Sequence, residues 1–455
     1  MGDNVENNET NKGKFWKGVL TGSLITAFVG LTIVGVATGI HLIAGTVMNN
    51  QSPAIIETQP GHSEETENQV DINFSKIETK LQQIQNIIET YYLFEEEEEK
   101  MEDGIYTGFM YGLGDPYSVY YNEEDFAKLM ETTEGSYCGI GASVSQNRNT
   151  GLTTIVKVFR GSPAEEAGML PGDVIYTVDD LEASAIDLDL LVSQHIRGEE
   201  NTYVNVTVFR NEINDYVDLK IQRRQIEIET VEYQMIDNNV GYILISQFDL
   251  MTPGQFKEAV DTLEADGMES LVVDLRNNPG GVLDSVVEMI AYVLPEDKLD
   301  GMLVYTEDRN GNGDKYYSQN GKINCERYDR VRNSEYPKAD GHQLDLPIAV
   351  LINGNSASAS EIFAGAMKDY EWATLVGTTT FGKGIVQNLI PLRDGTAIKL
   401  TTSHYFTPDG FDLHEKGIEP DIEIELNEEL LTKVTVDIEE DNQLQKALEV
   451  LKAAN

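Results

Sequence analysis

The spacing of apolar residues changes character several times along the chain, and each change predicts a different element. Between Gly18 and Ile56 there is no Asp, Glu, Lys or Arg, and Val19 to Met48 is dominated by Leu, Ile, Val, Ala, Gly and Thr. A membrane span needs about 20 such residues, whereas the apolar region of a signal peptide usually runs to about 7–15. Ala44-Gly45-Thr46 is a weak cleavage site, so the expectation is an uncleaved anchor over 18–48. Lys12, Lys14 and Lys17 precede it and the next basic residue is Lys76. The positive-inside rule then predicts a cytoplasmic tail at 1–17 and an extracytoplasmic remainder on the cell membrane. Residues 49–72 are polar, contain Pro53 and Pro60, and read as a flexible stalk.

Beyond the stalk, Phe74, Ile77, Leu81, Ile84 and Ile88 follow at 3-4-3-4 spacing, one apolar stripe on a helix. The stripe can pack within its own domain or against a second copy, which leaves a homodimer open. The helical segment is taken as 73–134, with the acidic run Glu95 to Glu99 as a solvated face or helix start. Residues 135–225 form a β-rich module. Its strands are Thr153 to Val158, Val174 to Val178 and Tyr203 to Phe209. Its helices are a short one after Ser162-Pro163-Ala164 and one through Leu188, Leu191, Val192 and Ile196. After Gln225 strands and helices alternate: strands at 240–246, 270–275 and 346–352, helices at 252–264, 285–293 and 358–370. That alternation predicts a mixed α/β layer with a partly parallel sheet over 226–430. Within it, residues 300–345 are polar and Gly-rich. Leu444, Leu448 and Leu451 predict a C-terminal helix in 431–455.

Composition narrows the function. Lys+Arg number 33 against Asp+Glu 78, a net charge of −45. Nucleic-acid binding needs Lys and Arg to displace counterions, so no nucleic-acid partner is expected. Basic patches that would hold a peripheral protein on anionic lipid are equally missing from the balance. The hydrophobic fraction of 40 % is that of a globular chain. Two cysteines, Cys138 and Cys325, leave no disulfide framework and no Cys-based zinc site, and no cofactor or metal motif stands out.

Three strand-to-turn junctions carry unusual residues. In Asp274-Leu275-Arg276-Asn277-Asn278-Pro279-Gly280-Gly281, paired glycines after a buried strand free backbone N–H groups to face a ligand or a developing anion. In Asn355-Ser356-Ala357-Ser358-Ala359-Ser360-Glu361, three hydroxyls alternate with alanines at a helix start. Helix capping accounts for one serine; a nucleophile in the helix N-terminal field accounts for another. In Thr380-Phe381-Gly382-Lys383-Gly384-Ile385-Val386-Gln387, a lysine between glycines and followed by apolar residues is a candidate desolvated amine, as a general base near neutral pH requires. Two decoys fall away. Gly377 to Lys383 begins a phosphate-binding loop, but Gly384 stands where Ser or Thr should hold magnesium. Asp308, Asn310, Asn312 and Gly313 begin a calcium loop, but Gln319 replaces its last acid, so a polar hairpin turn is expected. A triad base would have to be His404 or His414, neither with a distinctive motif around it.

The ordered set resembles the C-terminal processing peptidases, or tail-specific serine proteases. It runs through Gly114-Asp115-Pro116-Tyr117-Ser118, Gly139-Ile140-Gly141-Ala142, Ser162-Pro163-Ala164 to Gly172-Asp173, Asn278-Pro279-Gly280-Gly281, Ser356 to Ile362, Phe381-Gly382-Lys383-Gly384 and Gly417-Ile418-Glu419-Pro420-Asp421. The resemblance implies a mixed α+β fold: a PDZ-like module at 135–225 and a serine-protease core at 226–430 with ClpP/crotonase-like layering. It implies Ser358 as nucleophile, Lys383 as its base and Gln387 as the residue orienting that base. It implies an oxyanion hole from the N–H groups of Ala359 and of Gly280 or Gly281. In the module, Gly139, Ile140, Gly141 and Ala142 would receive the terminal carboxylate of a peptide added as an extra strand, and Arg197 would pair with substrate or with the protease body. The expected function is therefore a membrane-anchored extracytoplasmic serine endopeptidase acting on proteins with exposed C-termini through a Ser–Lys dyad. The alternative is an inactive membrane PDZ scaffold on a protease fold.

Overall fold

The computed structural model describes residues 71–454, except 148–149, 238, 295–300, 320–321, 327–330, 338–343, 431–432 and 434–435. The expected tail, anchor and most of the stalk lie outside the described residues. No helix among the described residues is long and apolar enough to cross a membrane.

Two helices open the described chain, α1 (Phe74–Tyr91) and α2 (Glu98–Tyr111). Asn73 caps α1 by accepting from Lys76 N–H. The apolar stripe of α1 is where its spacing put it, but no residue of α1 is buried. Strand β1 (Val119–Tyr121) and helix α3 (Glu123–Glu134) follow. Although β1 lies within the stretch expected to be helical, it pairs with a strand of the protease core some 280 residues further on, Val119 opposite Lys399.

Next comes the β-rich module. Strand β2 (Ser136–Gly139) pairs with β9 (Arg224–Glu227) as a two-stranded ribbon at its base. The main sheet has the order β3-β4-β5-β7-β8, with β6 on β5. The strands are β3 (Ala142–Gln146), β4 (Thr153–Val158), β5 (Val174–Val178), β6 (Leu181–Glu182), β7 (Tyr203–Arg210) and β8 (Asp215–Gln222). Helix α4 (Pro163–Glu166) starts at the cap Ser162 with proline at its first position. The second helix is irregular: Leu188–Leu190 runs into a π-helical stretch, Leu191–Ile196. Alternate residues Val204, Val206 and Val208 point into a separate core with Ile155, Ile175 and Leu191.

The core begins with β10 (Val231–Ile236), antiparallel to β11 (Val240–Ile245). Strands β11, β12 (Ser270–Asp274), β17 (Ile348–Ile352), β18 (Ala373–Gly377) and β21 (Ile422–Glu423) are parallel neighbours in that order. Period two divides their side chains between two cores. Leu271, Val273, Ile348 and Val350 face helices α5 (Thr252–Ala265), α6 (Leu283–Val293) and α7 (Ala359–Asp369). Val272, Ala349 and Leu351 face helix α8 (Asn442–Ala454) through Leu444, Leu448 and Leu451. A strand buried on both faces must be largely apolar, which is why β17 is Ile-Ala-Val-Leu-Ile and the middle of β12 is Leu-Val-Val.

The polar 300–345 stretch contains strands among its described residues. It holds β13 (Met302–Asp308), β14 (Lys315–Gln319), β15 (Lys322–Glu326) and β16 (Val331–Pro337), which extend a second sheet from β20 (Ala397–Phe406). Its buried anchors, Leu303, Val304, Tyr316, Ile323 and Cys325, are too widely spaced among polar residues to stand out as strands. Asp308 lies in the β13–β14 hairpin and accepts from the N–H groups of Asn310 and Asn312, so the polar-turn expectation holds there. Strand β19 (Ile385–Pro391) pairs with the other side of β20.

Arg276, directly after β12, fastens α8 to the sheet. Its guanidinium bonds Asp274 on one side and Asp441 and Gln443 on the other, and Asp274 also accepts from Tyr242. Arg276→Ala leaves two buried carboxylates without their cation. Breaking a buried pair from one side costs about 3–5 kcal/mol, so denaturant melts should show a loss of that order. A loss below about 1 kcal/mol would refute this role.

Candidate active site

In an open α/β sheet the ligand crevice lies beyond the carboxyl ends of the parallel strands. Here β12 ends into the Asn278–Gly281 turn and β17 ends into the serine-rich turn before α7. The two turns are stitched together. Ser356 Oγ donates to Leu275 O at 2.7 Å, and Ser360 Oγ donates to Asn278 O at 3.0 Å. Ala357 N–H also donates to Asn278 O, at 3.0 Å. So the outer two hydroxyls of the alternation are structural braces. Ser358 Oγ is buried and, among the described residues, has no hydrogen-bond partner.

Ser358 is also the strained residue of the turn, at φ 56° and ψ −113°. A side chain at positive φ costs of order 1–3 kcal/mol and persists only where its surroundings hold it. Those surroundings centre on Glu361. One oxygen of its carboxylate accepts from Ser358 N–H at 2.8 Å and from Lys383 N–H at 2.9 Å. The other accepts from Gly382 N–H and from Thr380 Oγ1, both at 2.6 Å. Tyr405, fully buried on β20, donates to the carbonyl of Lys383 at 2.5 Å and lies 3.1 Å from that of Ser358. The Ser358 and Lys383 backbones are thus clamped to each other from two sides. Burial pushes the Glu361 carboxyl above its usual value, partly offset by its four donors. The sequence reading quoted Glu361 without giving it a role. An acid inside the otherwise small and apolar run Ala359 to Ala366 was the available signal.

Lys383 is 1 % exposed, and among the described residues its Nζ has no hydrogen-bond partner. Burial brings its amine down to about 7, helped by the positive charge of Lys399 and opposed by Glu361 and Asp115. Lys399, on β20, is itself brought down by burial to about 8. The face of the Tyr117 ring lies 4.6 Å from Lys383 Nζ. Tyr117 belongs to the Gly114–Ser118 turn, which docks on β20 through Ser118 Oγ, acceptor for Thr401 N–H at 3.0 Å. Burial pushes the Asp115 carboxyl up, but bonds from Ser118, Thr401 and the Tyr117 N–H outweigh it and hold it below its usual value. Tyr117, Asp115 and Lys399 were not assigned to the site from sequence. A lysine on the inner face of the strand Ile398-Lys399-Leu400 was the one sign.

The other expected residues fall as follows. Gln387 is buried on β19; its amide N–H reaches Ile385 O and Thr401 Oγ1 at 3.4 Å, and its Oε1 has no partner. It makes no hydrogen bond to Lys383 here. Gly280 packs on the elbow: a Cβ there would lie 2.8 Å from Ser358 Cβ and 2.9 Å from Ala359 N. Its N–H donates to Asn278 Oδ1 at 2.8 Å, so in this conformation it is engaged within its own turn. Gly281 bridges to Phe248. His404 and His414 meet edge to face with centroids 5.2 Å apart, and neither bonds Ser358 Oγ.

In the module, Gly141 has φ +79° and its carbonyl accepts from Phe159 N–H; Ile140 is buried and its carbonyl accepts from Ala164 N–H. Ala142 opens β3, which is the edge of its sheet. Gly139 lies in the β2–β9 ribbon opposite Arg224. Arg197 is salt-bridged to Glu131 of α3, with its guanidinium 4.4 Å from the Tyr137 ring centroid.

Glu361→Gln exchanges an acceptor for a donor facing backbone N–H groups. Buried donors left unmatched cost about 1–3 kcal/mol. The variant should unfold at least about 2 kcal/mol more easily, by chemical denaturation; an unchanged midpoint would contradict the clamp.

Comparison with known proteins places this architecture. The profile of Peptidase family S41 matches residues 239–424, that of the PDZ domain residues 138–221, and that of the activating protease CtpB N-terminal domain residues 33–125. The probable CtpA-like serine protease of Staphylococcus aureus (strain COL) is 35 % identical over 346 residues, 76 % of this chain and 64 % of that relative. The carboxy-terminal processing protease CtpB of Bacillus subtilis (strain 168) is 34 % identical over 359 residues, 78 % of this chain and 69 % of that protein. The solved photosystem II D1 C-terminal processing protease is 27 % identical across 76 % of this chain and 84 % of that one; its TM-score of 0.39 is too low to bear on the fold. On its identity to these relatives and the length it shares with them, the chain belongs to peptidase family S41 and carries a PDZ domain.

Proposed function

We propose that this chain is a serine endopeptidase of the C-terminal processing type, in which a Ser358–Lys383 dyad cuts proteins presented through the PDZ domain. The observation that carries the proposal is the shared Glu361 oxygen, which holds the N–H groups of Ser358 and Lys383 together while both side chains stay buried and unpartnered. An amine with a value of about 7 is neutral often enough near that pH to take a hydroxyl proton. Ser358 Oγ then bonds the scissile carbonyl carbon, and the carbonyl oxygen becomes the oxyanion. Ala359 N–H and the 280–281 turn supply its donors; Gly280 joins only by releasing Asn278, and otherwise Gly281 serves. Lys383 returns its proton to the leaving amine. Water repeats the sequence on the acyl-enzyme. Gln387 Oε1, a buried acceptor without a donor, is the group assigned to orient the ammonium.

The edge strand β3 is where a substrate C-terminus would add, beside the Gly139–Ala142 segment. Arg197, tied to Glu131, links that site to α3 and so gives the PDZ domain a means of gating. The exposed apolar face of α1 supports a second copy as partner. An anchor at 18–48 would place the catalytic part outside the cell membrane. The inactive-scaffold alternative has less support, because a degenerate site would not preserve a strained serine and a buried free amine together.

Digestion of casein by the full chain in detergent tests the proposal. Wild type should cleave. Ser358→Ala and Lys383→Ala should each lose at least about a thousandfold, as removal of a dyad member does, while His404→Ala and His414→Ala stay active. Undiminished cleavage by Ser358→Ala would refute it.

A further inference from the structure

The Gly114–Ser118 turn is a motif that the dyad chemistry leaves without a role. It arrives from the N-terminal region, not from the protease core. Tyr120 OH and Asn122 Nδ2 both donate to Asp103 of α2, at 3.1 and 3.0 Å. Strand β1 pairs with β20, and the turn sets the Tyr117 ring 4.6 Å from Lys383 Nζ. Lys383 is almost wholly buried, whereas Tyr117 is partly exposed. A partly exposed ring over a buried amine stands between that amine and water.

We propose that Tyr117 is a positioning residue for the candidate base: its ring seals the solvent side of the Lys383 pocket and so keeps the amine dry and neutral. This rests on the Ser358–Lys383 reading above. The physical argument is a contest between two terms. A ring face attracts an ammonium by about 0.5–2 kcal/mol. Hydration of the same ammonium is far stronger, and loss of it is what lowers a buried lysine. Removing the ring therefore admits water, favours the charged form and raises the pH at which Lys383 becomes a base. The other groups facing Lys383 leave that sign intact. Lys399 on β20 opposes its charge, and Glu361 on α7 and Asp115 in the same turn favour it. Tyr405 on β20 touches only its carbonyl. Gln387 on β19 is uncharged, and His414, which meets His404 edge to face, lies against the Gly384 backbone. The N-terminal helices thereby bear directly on the catalytic base, because the seal is held in place by α2 and β1.

The test is the pH profile of kcat/KM on labelled casein from pH 5.5 to 9.5, for wild type, Tyr117→Ala, Tyr117→Phe, Lys383→Ala and Ser358→Ala. Tyr117→Ala should move the acid limb upward by about one pH unit. That is about a fivefold loss at pH 7 and about a tenfold loss below about pH 6, recovered by about pH 9. Tyr117→Phe keeps the ring and should follow wild type. A merely structural role would lower activity equally at every pH. An equal loss, no loss, a limb moved downward, or Tyr117→Phe matching Tyr117→Ala overturns the inference while Lys383→Ala and Ser358→Ala remain inactive. Activity surviving in either of those two overturns the dyad, and the inference with it.

Discussion

Everything at the candidate site hangs from one buried carboxylate. Glu361 leaves the first turn of α7 and accepts from four donors, two at each of its oxygens. Three are backbone N–H groups from two segments more than twenty residues apart in sequence. A carboxylate buried this deeply is tolerated only because its lone pairs are all answered. In return it holds Ser358 in a backbone conformation that a serine would not otherwise keep, and fixes the Lys383 loop against it. Tyr405 repeats the arrangement from the second sheet through the carbonyls of the same two residues. Geometry that is set by backbone bonds leaves the Ser358 and Lys383 side chains without hydrogen-bond partners among the described residues.

The second constraint is dryness. Among the described residues Lys383 Nζ has no hydrogen-bond partner, and the charges that act on it come from three parts of the chain: α7, β20 and the Gly114–Ser118 turn. Two lysines in one buried patch, Lys383 and Lys399, make each the more reluctant to carry a charge. The carboxylate of Asp115 limits how far that goes. An amine lowered to about 7 therefore comes from a balance of burial, like charge and two acids, not from a direct ion pair.

Much of this was legible beforehand. Strands buried on both faces announce themselves as apolar runs, so β12 and β17 were found with their helices. The Ser-Ala-Ser-Ala-Ser alternation singled out this turn, but residue types alone could not say which hydroxyl was spare. Ser356 and Ser360 are distinguished from Ser358 only by carbonyls supplied from residues 275 and 278. The strands of the polar, Gly-rich 300–345 stretch were not predicted, because their few buried anchors are widely spaced among polar residues. Strand β1 was missed because three residues carry no period, and its pairing with β20 is long-range. The roles of Glu361, Tyr117 and Lys399 arise from tertiary proximity, for which a single sequence holds only the hint of a charge or ring in an otherwise apolar setting.

The most direct measurement of the central claim is the rate at which a fluorophosphonate labels Ser358, followed against pH in the full chain and in Lys383→Ala. A dry, neutral Lys383 acting on a clamped Ser358 predicts a labelling rate that rises with pH through a midpoint near 7 and nearly vanishes in the variant. A profile that is flat with pH, or one that Lys383→Ala leaves unchanged, would contradict it.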